Sequence, residues 1–399
     1  MAKKKQILIV GGGFGGVSAA LELAGDENYN ITLLSDDPEL RYYPTLYHTA
    51  TGGRRAASAI PLDRIFSGKN VTIINGTAAT LDKKSRTVTT QSGDSLNYDF
   101  LILGLGVITN YFGIPGLKEF AYGIKSQDEV QKFKAHLHQQ IIDDHKPDLN
   151  YVIVGAGPTG IELAGALPEY LKRIMKLHGV KQKNIHIDLI EASPKLLPRL
   201  PKDASRMVKR RLKELGIHIF TSSIVQGESA DTLTVSGKPI KSHTVIWTAG
   251  MTNNPFFSAN NFSLMARGKV AVDVYLRTDE NIYVIGDNAN TPYSGMAQTA
   301  VHDGRFVGKN LKRLAQGHEQ LPYKPEKPTT VIPVGSHWAV VVKGSLRLYG
   351  VLGWMLREAA DFEGFRELEK WDKAFMQYLK EYGIEDNCNV CAIAMNAEA

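Results

Sequence analysis

Two copies of one glycine pattern constrain the fold of this chain more than any other feature of its sequence. GGGFGG at residues 11–16 follows the apolar run 5–10, and GAGPTG at residues 155–160 follows the run 150–154. In a strand–turn–helix unit such glycines allow a tight turn, close approach of the backbone to a pyrophosphate and close packing of the helix. The free N–H groups and the dipole of the helix then hold the phosphates. One copy would be equally typical of a simple glycine-rich turn, but two copies after strands predict two dinucleotide sites.

A nucleoside triphosphate loop is the main competing interpretation of these glycines. Such a loop needs a Lys followed by Ser or Thr, to hold the phosphates and magnesium. Val17 and Ser18 follow the first glycine run, and Ile161 and Glu162 follow the second. Neither pair supplies that chemistry, so the sequence excludes this class of site.

The composition is that of a globular protein with a modest excess of positive charge. The 399 residues are 43% apolar and 22% charged, with a net charge of +6, and leave room for two large domains. No apolar run approaches the roughly 18 residues of a membrane span, and no signal peptide is evident. We therefore expect a cytoplasmic protein. Because no basic stripe with interleaved aromatics is found, nucleic acid is not an expected partner, and an anionic membrane surface fits the charge better.

The two cysteines exclude some chemistry. Cys388 and Cys391 have the spacing of half a zinc site, but no second pair or histidine partner lies nearby, so no metal is expected. No cysteine is close in sequence to either glycine loop. Disulfide reductases that use a redox-active cysteine pair beside a flavin are therefore excluded, as are relatives that handle sulfide through cysteines.

The order of strands and helices predicts an α/β fold with two nested Rossmann-like dinucleotide-binding domains and a C-terminal α/β extension. Short apolar strands that alternate with helices predict parallel sheets covered on both faces. One domain should comprise residues 1–115 and 246–325, with the second domain, 116–245, inserted in it. Residues 326–399 should form the extension. Its aromatic helical region, 348–382, is expected to be a membrane contact, a dimer interface or a lid, with Arg347 and Arg357 at lipid headgroups in the first case.

Four segments, in this order, resemble those of the two-dinucleotide-binding flavoproteins, and within them the type II (non-proton-pumping) NADH:quinone oxidoreductases. The segments are GGGFGG at 11–16, YDFLILGLG at 98–106, GAGPTGIE at 155–162 and TDENIYVIGD at 278–287. AQTA at 297–300 resembles the start of the family's quinone-side helix. The resemblance extends over about residues 6 to 315.

The resemblance implies an FAD site in the first domain. The residues that it places there are Gly11, Gly13, Phe14, Gly15, Gly16, Ser35, Asp36, Gly104, Gly106, Asp287, Ala297 and Gln298. Asp287 is expected to bind the ribityl hydroxyls, and the helix after Gly295 to direct its N-terminal dipole at the flavin ring. Flavoproteins usually carry an acid at the position of Ser35, so either Asp36 or the serine alone is expected to bind the adenosine ribose.

The resemblance implies an NADH site in the inserted domain. The residues that it places there are Gly155, Gly157, Pro158, Thr159, Gly160, Glu162, Glu191 and Gly250. A carboxylate such as Glu191 at the end of the second strand accepts hydrogen bonds from the ribose hydroxyls and repels the extra phosphate of NADPH. Glu162 either complements the helix dipole or lies near the nicotinamide and the flavin.

The expected catalytic residues are Glu162, Gln298 and His302. His302 stands where the family has a second glutamine, four residues after Gln298 and on the same helix face. A histidine there would donate a hydrogen bond or a proton to a reduced quinone.

The expected activity is transfer of hydride from NADH to FAD and of two electrons to menaquinone or ubiquinone. The protein should lie peripherally on the inner face of the cell membrane, as a monomer or as a homodimer. Two alternatives are a soluble NADH-dependent reductase of a ferredoxin or rubredoxin and a non-enzymatic flavin-binding protein. The presence of both an FAD site and an NADH site argues against the non-enzymatic alternative.

Overall fold

The computed structural model describes residues 4–181 and 185–381, so Cys388 and Cys391 lie outside the described residues. The strands within these ranges, β1 to β24 in chain order, are Lys5–Val10, Tyr29–Ser35, Glu39–Arg41, Ala59–Pro61, Val71–Asn75, Ala78–Asp82, Thr87–Thr90, Ser95–Asn97, Phe100–Leu103, Val107–Thr109, Tyr122–Gly123, Asn150–Val154, His186–Glu191, Ile217–Thr221, Val225–Glu228, Thr232–Val235, Lys238–Lys241, Thr244–Trp247, Met251–Asn253, Arg277–Asp279, Ile282–Val284, Thr330–Pro333, Ala339–Lys343 and Leu346–Gly350. The α-helices, α1 to α12, are Phe14–Leu23, Leu46–Ala50, Arg55–Ser58, Leu62–Ile65, Leu117–Phe120, Gln127–His138, Pro158–Leu177, Lys202–Glu214, Pro255–Ala259, Ala297–Ala315, Val351–Arg366 and Trp371–Glu381.

The chain forms two compact units. The first unit contains the described residues up to Arg41, Ala59–Ile108 and Met251–Pro328. The second unit contains Tyr42–Ser58, Thr109–Gly250 and the described residues from Thr329 onward. This division differs from the predicted one, because 42–58, 109–115 and 246–250 belong to the second unit, and the described residues from Thr329 onward are part of that unit too.

The first unit is built on a sheet with the strand order β20–β21–β9–β1–β2–β5. All pairs are parallel except β20 with β21, which form an antiparallel edge. From β5 to β21 this is the strand order of a dinucleotide-binding fold. The central strand β1 is buried from Ile7 to Val10, as expected for a strand covered on both faces. Helices α1 and α10 pack closely, since a Cβ on Gly304 would lie only 2.2 Å from the Gly15 carbonyl oxygen.

The second unit repeats this arrangement. Its sheet has the order β11–β18–β12–β13–β14, with all pairs parallel. Strand β12 is buried from Tyr151 to Val154, and helix α7 follows it. The two parallel sheets confirm the predicted α/β fold class with two Rossmann-like units.

The C-terminal region packs into the core of the second unit. Strands β22, β23 and β24 form an antiparallel sheet, and Ile332 and Val340 from it share one apolar cluster with Ile153 and Leu167. A Cβ on Gly165 in α7 would lie 2.4 Å from the backbone nitrogen of Gly335. Hydrophobic burial therefore holds this region to α7.

Candidate active site

The first glycine loop joins β1 to α1 and gives each glycine a separate task. Gly11 has φ +113°, and a Cβ there would lie 2.2 Å from the Gly104 carbonyl oxygen. A Cβ on Gly16 would lie 1.9 Å from the Gly11 carbonyl oxygen. In contrast, a Cβ on Gly13 would meet no described atom within 4 Å beyond its chain neighbours. Gly11 and Gly16 are therefore required by the fold, whereas Gly13 leaves open space.

The second glycine loop, between β12 and α7, repeats these three tasks. Gly155 has φ +105°, and a Cβ there would lie 2.7 Å from the Cα of Ala249. A Cβ on Gly160 would lie 1.9 Å from the Gly155 carbonyl oxygen. A Cβ on Gly157 would again meet open space among the described residues. The backbone in front of this glycine is accessible to a ligand.

Both helices start at the open glycine. Gly13 is the N-cap of α1 and Gly157 is the N-cap of α7, and no described side chain caps either helix. The first N–H groups of a helix need partners, and a phosphate at this position supplies them. Each loop therefore fits the pyrophosphate of a dinucleotide such as FAD or NADH. We call the loop at 11–16 the first cradle and the loop at 155–160 the second cradle.

Asp287 lies in a turn that is fixed by a buried carboxylate. Gly286 has φ +65°, and its N–H donates to Asp303 Oδ2 at 2.9 Å. The Tyr323 hydroxyl donates to Asp303 Oδ1 at 2.5 Å. Asp303 is fully buried, and this burial raises its pKa to about 6. Asp287 itself is half-buried, so its carboxylate can reach a ligand.

The sequence analysis missed both Asp303 and Asn288. Asn288 exchanges two hydrogen bonds with the backbone of Gly106, one from the Gly106 N–H at 2.9 Å and one to its carbonyl at 2.6 Å. It thereby joins the Gly104–Gly106 loop to the Asp287 turn. An acid on the buried face of α10 and an amide directly after Gly-Asp are the signals that would have found them.

Ser35 is the last residue of β2 in the first unit, and Asp36 follows it. The Ser35 hydroxyl is buried and donates to the Asp37 carbonyl at 2.7 Å. A Cβ on Gly12 would lie 2.4 Å from this hydroxyl oxygen. Asp36 is exposed. Of the two alternatives for the adenosine ribose, this geometry favours Asp36, because the serine already closes the turn.

Glu191 is the last residue of β13, as Ser35 is the last residue of β2. Its Oε2 accepts from the Ala156 N–H and its Oε1 from the Ser193 N–H, both at 2.7 Å. A carboxylate has about four acceptor sites, so two remain for ribose hydroxyls. Glu191 therefore fixes the glycine loop and retains capacity for a ligand.

Glu162 is the fifth residue of α7, beyond the first turn, and its side chain is partly buried. Burial raises its pKa to about 8, against the opposing effect of the Arg357 charge. Arg357 is buried, forms an ion pair with Asp361, and donates to the Pro44 carbonyl at 2.8 Å. The expectation that Arg357 contacts lipid headgroups is therefore wrong, because its guanidinium is held inside the second unit.

Gln298 and His302 lie one turn apart on α10, which begins at Ala297 without a side-chain cap from the described residues. Gln298 is exposed. His302 Nε2 donates to the Lys324 carbonyl at 2.9 Å, and its Nδ1 lies 3.8 Å from Glu326 Oε1. The two ring nitrogens of His302 therefore face Lys324 and Glu326.

The other predicted residues fall into two groups. Phe14 and Gly15 are buried in the first turn of α1, where a Cβ on Gly15 would lie 3.0 Å from Ile285. Pro158 and Thr159 are exposed in the first turn of α7, beside the open glycine. Gly250 is buried, and a Cβ on it would lie 2.2 Å from the Asn110 carbonyl oxygen. Packing against the backbone therefore requires Gly250, and a Cβ on Gly15 would require a small shift of the Ile285 side chain. Residues 158–159 adjoin the second glycine loop.

Within residues 4–181 and 185–381, no three His, Cys, Asp or Glu side chains are grouped so as to hold a metal ion. None of the described helices combines the length and the apolar character needed to cross a membrane.

Comparisons with known proteins agree with this geometry. Residues 5–304 match the family described as pyridine nucleotide-disulphide oxidoreductases. A protein of Mycobacterium tuberculosis named type II NADH:quinone oxidoreductase NdhA is 26% identical, over 94% of this chain and 87% of its own length. A protein of Staphylococcus aureus named type II NADH:quinone oxidoreductase is also 26% identical, over 84% of this chain and 88% of its own.

Solved structures share the fold. NDH2 of Plasmodium falciparum in complex with NADH has a TM-score of 0.85 at 17% identity, over 95% of this chain and 98% of its own. The sulfide:quinone oxidoreductase of Aquifex aeolicus has a TM-score of 0.76 at 19% identity, over 91% of each chain. The resemblance predicted from the motifs is thus confirmed, and the chain belongs to the pyridine nucleotide-disulphide oxidoreductase family.

Proposed function

We propose that the protein is an FAD-dependent NADH dehydrogenase that delivers two electrons to a membrane quinone without pumping protons. The observation that carries this proposal is the pair of uncapped glycine cradles, of which the second has a loop N–H bonded to the carboxylate of Glu191. The names of the relatives from Mycobacterium and Staphylococcus support the choice of quinone as acceptor.

FAD is assigned to the first cradle and NADH to the second. The buried Asp303 and Asn288 fix the Asp287 turn and the Gly106 loop, which suits a permanently bound cofactor. Glu191 stands behind the second cradle, where it favours the free ribose of NADH over the phosphate of NADPH.

Glu162, Gln298 and His302 are the residues that would position the reactants or supply a proton. FAD, when bound, accepts hydride from NADH and passes two electrons to the quinone. Glu162 is protonated at neutral pH because burial raises its pKa to about 8, so its carboxyl can donate a hydrogen bond or a proton. Gln298, exposed on the first turn of α10, is assigned to the quinone carbonyl. His302 is the weaker candidate, since its Nε2 is bonded to Lys324.

The membrane contact is assigned to the exposed apolar side chains of α11 and α12, which together we call the hairpin surface. Its members are Val351, Leu352, Met355, Leu356, Trp371, Phe375, Met376 and Leu379, each at least 43% exposed. An apolar patch of this kind on a protein surface marks an interaction site. A quinone dissolved in the bilayer makes lipid the fitting partner, and we place the protein on the inner face of the membrane. A homodimer formed through this surface is the competing outcome.

Steady-state oxidation of NADH tests the activity. We expect the FAD-loaded protein to reduce menadione or a short-chain quinone with NADH, and to reduce a ferredoxin or use NADPH far more slowly. Gln298→Ala should slow the quinone half-reaction several-fold, because one hydrogen bond is worth about 1 kcal/mol. Flavin reduction by NADH in stopped flow should not change. Faster reduction of ferredoxin than of quinone would contradict the proposal.

A further inference from the structure

Helix α8 carries a concentrated basic surface. One side of the helix packs into the second unit through Ala204, Ser205, Val208 and Leu212. The opposite side presents the basic face, which we define as Lys202, Arg206, Lys209, Arg210 and Lys213. The helix has six basic and two acidic residues, so it supplies four of the six net positive charges of the chain.

Both acidic residues of α8 have local partners, which leaves the basic face in excess. Glu214 pairs with Arg210 at 3.1 Å and approaches Arg211 at 3.9 Å. Asp203 accepts from the Tyr349 hydroxyl at 3.1 Å and lies 3.6 Å from Arg347. The fold therefore does not neutralise Lys202, Arg206, Lys209 and Lys213 with the acids of this helix.

The same contacts place the start of α8 beside the start of the hairpin surface. Tyr349, which bonds Asp203, is two residues before Val351, where α11 and its exposed apolar side chains begin. An exposed basic surface thus adjoins an exposed apolar one within the second unit.

We propose that the basic face of α8 binds the phosphate groups of anionic lipids while the hairpin surface inserts its apolar side chains. The inference rests on the proposed membrane contact of the hairpin. Lipid fits better than nucleic acid, because the neighbouring surface is apolar and α8 has no aromatic side chain on which bases could stack. Each basic side chain near an anionic bilayer adds attraction within a Debye length, about 10 Å at 0.1 M salt.

Co-sedimentation of the FAD-loaded protein with vesicles tests this inference. The vesicles are phosphatidylcholine alone or with one quarter phosphatidylglycerol. The basic-face variant is Arg206→Gln, Lys209→Gln, Arg210→Gln and Lys213→Gln, which keeps helix propensity. The charge-matched control is Lys69→Gln, Lys84→Gln, Lys118→Gln and Lys132→Gln, all at exposed positions.

We expect the basic-face variant to bind phosphatidylglycerol vesicles about 10- to 100-fold more weakly than the wild type. Binding to neutral vesicles should not change, and the control should lose much less. Raising the salt to about 0.5 M should remove the preference of the wild type. Equal losses in the two variants, or no preference of the wild type for phosphatidylglycerol, would overturn the inference.

A second variant separates this inference from the hairpin assignment. Leu352→Ser with Trp371→Ser should weaken binding to both kinds of vesicle. If this variant binds both kinds of vesicle normally, the hairpin assignment fails. If in that case the basic-face variant still loses its preference for phosphatidylglycerol vesicles, the lipid contact of α8 stands without the hairpin. A labelled oligonucleotide that the wild type binds more tightly than vesicles, and that the basic-face variant releases, would overturn the lipid assignment.

Discussion

Glu191 and Ser35 occupy equivalent positions in the two units, as the last residues of β13 and β2. In each unit the N–H of the first loop glycine, Gly155 or Gly11, donates to the carbonyl of the residue just before this position, Ile190 or Leu34 respectively. The carboxylate reaches the glycine loop, whereas the serine hydroxyl turns back to Asp37. One side chain thus gives otherwise similar cradles different ribose environments.

Glu191→Ser should therefore weaken discrimination between the two nicotinamide dinucleotides. Loss of one hydrogen bond to a charged carboxylate, worth about 1.5–3 kcal/mol, should lower kcat/KM for NADH by about 10- to 100-fold. The value for NADPH should fall less, because a repulsive charge is removed as well. Steady-state kinetics with both dinucleotides checks this, with Glu119→Ser at an exposed site as the control. An unchanged ratio would remove Glu191 from the NADH site.

The raised pKa of Glu162 has a consequence for stability. The group binds its proton more tightly in the folded chain, at about 8, than at its ordinary 4.5. The contribution of this group to the free energy of unfolding is therefore complete below pH 4.5 and is lost as pH rises toward 8. We expect the free energy of unfolding to fall over that range, and Glu162→Gln to flatten the fall. Denaturant titrations from pH 5 to 8 measure it, and an equal slope in wild type and variant would contradict the assignment.

At the scale of elements, the repeated strand–loop–helix unit separates glycines that the fold needs from glycines that a ligand needs. Gly16 and Gly160 each press against the carbonyl of the first glycine in their loop. Gly13 and Gly157 face open space and have φ of −82° and −73°, which any residue can adopt. A methyl group should therefore have opposite effects at these two kinds of position.

Gly157→Ala should fold normally and retain FAD but raise the KM for NADH by about 100-fold, because the methyl group stands where the pyrophosphate approaches. Gly160→Ala should instead lower stability by about 1–3 kcal/mol through overpacking. Thermal unfolding and flavin absorbance distinguish the two. If Gly157→Ala binds NADH normally, the second cradle does not hold the pyrophosphate.

The sequence predicted both parallel sheets and both cradles, because the apolar runs and the glycines are local patterns. It could not predict partners that are distant in the chain. Asp303 reaches Gly286 only because α10 packs beside the turn, and Arg357 turns inward to Pro44 and Asp361. For the same reason the local pattern could not place residues 42–58 in the second unit, where their apolar side chains, such as Leu46, pack in the core.

Asp303→Asn should loosen FAD without unfolding the chain. An amide is uncharged, so its oxygen accepts the Gly286 N–H more weakly than the carboxylate does, and its NH₂ group meets Tyr323 favourably only if that hydroxyl turns from donor to acceptor. We expect FAD affinity to fall about 10-fold, and Tyr323→Phe to have a smaller effect because the Gly286 bond remains. Flavin release on dilution, followed by fluorescence, measures this. Glu280→Gln, an exposed acid, is the control, and equal retention in all variants would exclude a positioning role for Asp303.

At the scale of the whole molecule, the cofactor cradles and the membrane contact depend on different kinds of surface. The cradles need buried glycines and fixed backbone N–H groups, whereas the hairpin surface consists of exposed side chains of α11 and α12. Substitutions of exposed residues usually change stability by less than about 0.5 kcal/mol. The two functions should therefore be separable by mutation.

Leu352→Ser, Met355→Ser, Phe375→Ser and Met376→Ser should together remove the apolar hairpin surface while leaving the cradles intact. NADH oxidation with menadione in water should stay close to wild type, since that acceptor reaches the protein without a bilayer. Reduction of a long-chain quinone in vesicles should fall by at least about 10-fold, because four exposed apolar side chains no longer enter the lipid. Met265→Ser with Val274→Ser, at exposed apolar positions of the first unit, controls for altered solubility. Equal activity toward both acceptors would show that the hairpin surface is not the membrane contact, and a change from dimer to monomer in the same variant would identify it as an interface between two copies of the chain.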